Sequence, residues 1–164
     1  MQRNVIIAII AIAIVAVAGI AAFMLLKSED SSPGIRTDLK VGDYIEYENK
    51  NNITSTTYTE RYEIKSIFGD SYTVSHKDRS STKTETMGKD DFLGNILWTS
   101  SDASDYGAKK SGTETIDTPW GQVKCTKYTV SVLGIDMTVY VGSNGVVYKE
   151  GGAFTMTLTD TSLL

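Results

Sequence analysis

The sequence is poor in the residues that build covalent staples and catalytic centres. It holds one cysteine, Cys125, among 164 residues, so no disulfide can form within the chain. Cys125 falls in a strand-like run, where a free cysteine behaves as a small buried hydrophobe. It holds one histidine, His76. A zinc site needs several His or Cys ligands, and one of each is too few. A nucleophilic triad needs a base set beside a Ser or Cys. There is no nucleophile-elbow motif, and His76 shares its parity with Tyr72 and Val74, which reads as a structural histidine. No glycine-rich loop of the phosphate-cradling kind is present.

Basic charge is also scarce. Lys and Arg number 16 against 20 Asp and Glu. Setting aside Arg3 and Lys27 leaves 14 basic residues, a net −6 for everything after Lys27. Such a domain gains nothing from counterion release on nucleic acid or from an anionic lipid surface. The acidic pairs Asp90-Asp91 and Asp102/Asp105 lack the spaced Asp/Asn pattern and distal Glu of a calcium loop. They read as solvated faces, with Asp102 to Asp105 in a loop. The sequence therefore assigns no catalytic residue, no metal and no cofactor, and the chain reads as a non-enzyme.

Apolar residues are present, but unevenly. Val5 to Leu26 carries no charge and no polar stripe. As a helix these 22 residues reach ~33 Å, enough to cross a ~30 Å hydrocarbon core. Ala16-Val17-Ala18 matches a signal-peptidase pattern, yet the apolar run continues through Leu26 where a cleavage region turns polar. No cysteine directly follows the run, which excludes a lipoprotein anchor. The reading is an uncleaved single-pass anchor. Arg3 and the α-amino group place residues 1–4 in the cytoplasm and everything after Lys27 outside. Ala18, Gly19, Ala21 and Ala22 would permit close packing against another membrane helix.

Residues 27–38 (Lys27 to Asp38) read as a flexible tether rich in Ser, Pro and Gly. The domain, 39–164, shows period-2 patterning. Ile45 and Tyr47 share a parity, as do Tyr58, Tyr62, Ile64 and Phe68, then Met137, Val139 and Val141, and last Phe154, Met156 and Leu158. Turn signals at Asn49–Asn52, Gly69-Asp70, Asp78–Ser80 and Asn144-Gly145 separate the runs. Eight or nine strands in an antiparallel meander follow. Lys89 to Trp98 has helical spacing, with Asp90 as a cap, and Thr99 to Gly112 reads as a polar loop. The expected fold is mainly β: a curved antiparallel sheet, half-barrel or barrel-like, with one short helix. Asn52-Ile53-Thr54 is a glycosylation sequon, in keeping with an outside location.

In the C-terminal half, Thr118-Pro119-Trp120-Gly121-Gln122 leads into a strand with Cys125 and Tyr128. A hairpin strand from Asp136 to Val141 follows, then Gly145-Val146-Val147-Tyr148-Lys149 and a last strand from Phe154. Over Gly112 to Leu158 this order resembles the LolA/LolB-like group of bacterial envelope lipoprotein carriers and related domains of unknown function. The resemblance implies a half-open sheet and an apolar ligand. The sequence departs from those carriers in two ways: an anchor stands in place of a cleaved signal, and several Thr and Tyr fall on the concave face.

The functional expectation is a membrane-anchored extracytoplasmic binding or structural module. One version holds a lipid or other apolar molecule in the concavity, with Val139, Met156 and Leu158 pointing inward. The other recognises a protein as a subunit of an envelope complex, through a rim near Trp98, Trp120 and the Asp90–Asp105 region. A carboxylate-dependent envelope hydrolase is the runner-up, and needs two acidic side chains within ~5–10 Å.

Overall fold

A computed structural model of the chain describes residues 32–132 and 134–164. The expected anchor between Val5 and Leu26 lies outside the described residues. Among the described residues no helix is long and apolar enough to cross a membrane.

The strands are β1 (Tyr44–Asn51), β2 (Thr57–Phe68), β3 (Ser71–Lys77), β4 (Thr82–Gly88), β5 (Lys109–Thr118), β6 (Gly121–Val132), β7 (Ile135–Gly142), β8 (Val147–Gly151) and β9 (Phe154–Thr161). Two helical turns, α1 (Lys89–Gly94) and α2 (Ser100–Asp105), lie between β4 and β5. All nine strands form one open, curved antiparallel sheet in the order β4-β3-β2-β1-β9-β8-β7-β6-β5. Two meanders therefore grow outward from a central β1–β9 pair. The edges, β4 and β5, belong to the middle of the chain.

Four irregularities bend this sheet, as bulges do. The extra residues are Lys65 in β2, Ser111 in β5, Tyr148 in β8 and Thr159 in β9. Lys65 has a visible consequence. Tyr62 and Ile64 are buried, but the extra residue reverses the parity beyond it. Ile67 then packs against the core and Phe68 is 90 % exposed. The parity shared by Tyr62, Ile64 and Phe68 thus breaks at one residue.

The main core joins Ile45, Tyr47, Tyr62, Ile64, Val74 and Leu158 on the sheet to Phe92, Leu93 and Ile96 from the α1 segment. Phe92 and Ile96 are fully buried. The connector from β4 to β5 thus crosses the sheet face instead of skirting it. Tyr47 OH donates to Asn95 O at 2.7 Å, Val147 N to Ile96 O at 2.8 Å and Trp98 N to Gly145 O at 2.8 Å.

Three local expectations change here. The helix expected over Lys89 to Trp98 ends at Gly94. Its start is held by Asp91, whose carboxylate accepts from Gly88 N at 3.0 Å, and not by Asp90. The polar loop expected over Thr99 to Gly112 contains α2 and the start of β5. Thr99 and Asp102 close α2 reciprocally. Asp102 N donates to Thr99 Oγ1 at 3.2 Å, and Thr99 N donates to Asp102 Oδ2 at 2.6 Å, the two halves of a capping box. The expectation of one short helix becomes two.

Within the expected tether of residues 27–38, the described part is docked. Asn144 Nδ2 donates to Pro33 O at 2.7 Å, and Arg36 N donates to Leu163 O at 2.8 Å. Ile35 and Leu39 pack against the main core. Asp43, 6 % exposed, accepts from the Arg36 guanidinium, Lys40 N and Ser162 Oγ. Burial opposes its charge, but those donors outweigh it and hold the carboxyl below its ordinary value.

Candidate functional site

A second, smaller cluster lies toward the β5 side. Val130, Val139, Val141 and Val147 form its buried floor. Strand β6 serves both clusters. Val123 and Cys125 enter the main core, while Tyr128 and Val130 enter the smaller one. Odd and even positions of a strand face opposite sides, so the two ends of β6 use opposite faces.

Over the valine floor sit three half-buried rings. Trp98 stacks on Tyr106 with centroids 6.0 Å apart, and Tyr128 tilts against it at 6.2 Å. Trp98 is placed by its backbone bond to Gly145. Tyr106 is placed by α2, whose last turn ends with Tyr106 N donating to Asp102 O at 3.0 Å. The Trp98 indole N–H is buried without a hydrogen-bond partner.

Glu150 adjoins this cluster. It pairs across the strands with Val139 on one side and Met156 on the other, and is 8 % exposed. Among the described residues it has no ion pair and accepts no hydrogen bond. Burial pushes its carboxyl up to about 7. Tyr106 feels it: burial, Asp102, Asp105 and Glu150 together raise that phenol. From the other side Tyr47, fully buried, is raised by burial and then by Glu150 and Glu60. A largely buried carboxyl without a donor from the protein and a fully buried, unpartnered indole N–H thus border one aromatic patch. Each is a cost that native proteins seldom carry without reason.

A second polar group behaves differently. His76 is 2.7 Å from Glu60 Oε1 through Nε2, and its ring stacks on Tyr62 at 4.2 Å. Tyr62 OH and Asn49 Nδ2 also donate to Glu60, at 2.8 and 3.1 Å. Burial opposes the Glu60 charge, but these donors hold its carboxyl below the ordinary value. The network is satisfied from every side, and the partner of the histidine is a carboxylate rather than a nucleophile. Glu60 and Glu150 are three strand spacings apart, roughly 14 Å. Asp102 is spent on its helix cap. Among the described residues no group of three or more His, Cys, Asp or Glu could hold a metal.

The residues singled out in the sequence divide between the two clusters. Trp98 and Val139 belong to the smaller one, and Met156 is the strand neighbour of Glu150 while packing on the main core. Leu158 is buried opposite Tyr47. Trp120 is edge-on to Tyr148 at 6.3 Å, away from Trp98. Asn52 uses its amide to donate to Gly152 O at 2.9 Å and Thr155 Oγ1 at 2.8 Å. Glu150, Tyr106 and Tyr128 were not among those residues. Glu150 follows the bulge at Tyr148, so alternation counted from Val147 misplaces it. Comparison with protein-family models, with curated protein sequences and with solved structures finds no match to this chain.

Proposed function

We propose that this chain is a membrane-anchored extracytoplasmic binding module, and that it takes its ligand on the aromatic patch of Trp98, Tyr106 and Tyr128 beside Glu150. The observation that carries the reading is the largely buried Glu150 carboxyl, which has no donor from the protein, beside the aromatic patch that holds the buried, unpartnered Trp98 indole N–H. A carboxylate flanked by aromatic faces suits an amine or other organic cation, attracted by both the charge and the ring quadrupoles. The indole N–H suits an acceptor on the same ligand. Anchoring follows from Val5 to Leu26, and the outside location from the flanking charges.

The main core argues against a carrier of long acyl chains. Phe92, Leu93 and Ile96 from the chain's own connector occupy the face where such a chain would lie.

The test is titration of the full chain in lipid nanodiscs with tryptamine, an amine with an aromatic body, and with sodium chloride as the ionic control. Amide NMR shifts of residues 98, 106, 128 and 150 are followed at pH 8. Saturable shifts at those positions, lost in Glu150→Gln, are expected. No saturation, or saturation unchanged in Glu150→Gln, would remove the site.

A further inference from the structure

The strands meet their connections at two opposite ends. At one end lie the β2–β3 turn, the β5–β6 turn at Trp120, the β7–β8 turn and the start of β1. The docked segment from Pro33 to Asp43 runs along this same end, touching Asn144, Leu163 and Ser162 on its way to β1. At the opposite end lie the β1–β2 turn with Ile53 and the β6–β7 turn.

The reach of the tether makes this arrangement matter. Leu26 to Pro33 is seven residues, which span at most ~25 Å fully extended. The tether enters the domain along the Pro33 end, so an anchor at Val5 to Leu26 holds that end nearest to the bilayer. Among the described residues this end also carries the most exposed large apolar side chain. Phe68 is 90 % exposed and Val41 61 %. Val41 is held alongside β2 four residues before Phe68, because Gly42 N donates to Ile64 O at 2.9 Å. Gly69, at φ +57°, makes the tight β2–β3 turn that directly follows Phe68. The two lysines next to these side chains are paired, Lys40 with Asp38 at 3.8 Å and Lys65 with Glu63 at 2.5 Å.

We infer that Phe68 and Val41 insert into the interfacial layer of the membrane that holds the anchor, fixing the domain upright on its β2–β3 end. The inference rests on the anchor reading of Val5 to Leu26. Phe and other apolar side chains on a membrane-facing surface bury at the boundary of headgroups and acyl chains, and an apolar contact of this kind is insensitive to salt. Ile53, 79 % exposed at the far end, is then held in water.

The experiment places single spin labels on the full chain in phosphatidylcholine nanodiscs, at Ile12→Cys, Phe68→Cys and Ile53→Cys. Cys125 stays in place, because it is fully buried and burial, then Glu114, push its thiol up to about 11. Accessibility to oxygen against a water-soluble nickel chelate reads depth. The expected order is position 12 deepest, position 68 interfacial and position 53 aqueous, unchanged in 0.5 M salt (~4 Å screening length). Position 68 as aqueous as 53, with position 12 deep, overturns the docking and leaves the anchor standing. Position 12 in water overturns the anchor and the docking with it. A label at 68 shielded from both reagents points to a protein contact and overturns the lipid assignment.

Discussion

At the scale of single residues, Glu150 is the informative side chain. Its carboxyl rises from 4.5 to about 7 because it is buried without a donor. At 1.36 kcal/mol per unit that corresponds to about 3 kcal/mol. The sign follows from proton counting. Between about 4.5 and about 7 the native state keeps the proton and the unfolded chain has lost it, so stability falls as pH rises through that window and is level above it. Glu60 and Asp43 are held below their ordinary values and act on the acid side of the window. Glu150→Gln should therefore stabilise the protein at pH 8 by up to about 3 kcal/mol and flatten the pH dependence. Urea melts at pH 5 and pH 8 check this. A variant no more stable at pH 8 would mean that water reaches the carboxyl. A residue that costs this much and still stands at the aromatic patch fits a site that trades stability for binding.

At the scale of elements, the connector is the piece that makes the sheet a core. α1 and α2 are too short to be stable alone. They are held by Phe92, Leu93 and Ile96 and by three backbone-acceptor bonds to or from the sheet. Phe92→Ala should cost ~3–5 kcal/mol and expose the connector to proteolysis before the sheet. Thermal melts and limited digestion read both, and cleavage appearing first in β1 or β9 would contradict it. Much of the sheet was legible in the residues. Ile45 and Tyr47 alternate into the core, and Asn144-Gly145 marks the β7–β8 hairpin. What was hidden follows physical rules that a fixed period misses. The extra Lys65 turned Phe68 outward. α2 has no apolar stripe, although Thr99-x-x-Asp102 carried a readable start signal. The candidate site was half visible: Trp98 stands out as an aromatic, but Glu150 in VYKEG looks like a solvated strand residue until the neighbouring bulge is known.

At the scale of the molecule, the β1–β9 pair dictates the folding problem. It joins residues 44–51 to 154–161, so the centre of the sheet closes only after the whole domain has been gathered. Loop closure on that scale is slow, and refolding should fall in the ~ms–s range typical of sheets built from non-local pairs. Stopped-flow tryptophan fluorescence measures it, and a microsecond phase carrying the full amplitude would show that the two meanders fold without waiting for each other. The same pair has a topological consequence. With Arg36 N donating to Leu163 O at 2.8 Å, the domain is nearly a closed ring of polypeptide. Spliced there and opened at the Asp78–Ser81 turn, a circular permutant would keep every strand neighbour while its chain ends emerged at the opposite pole of the sheet.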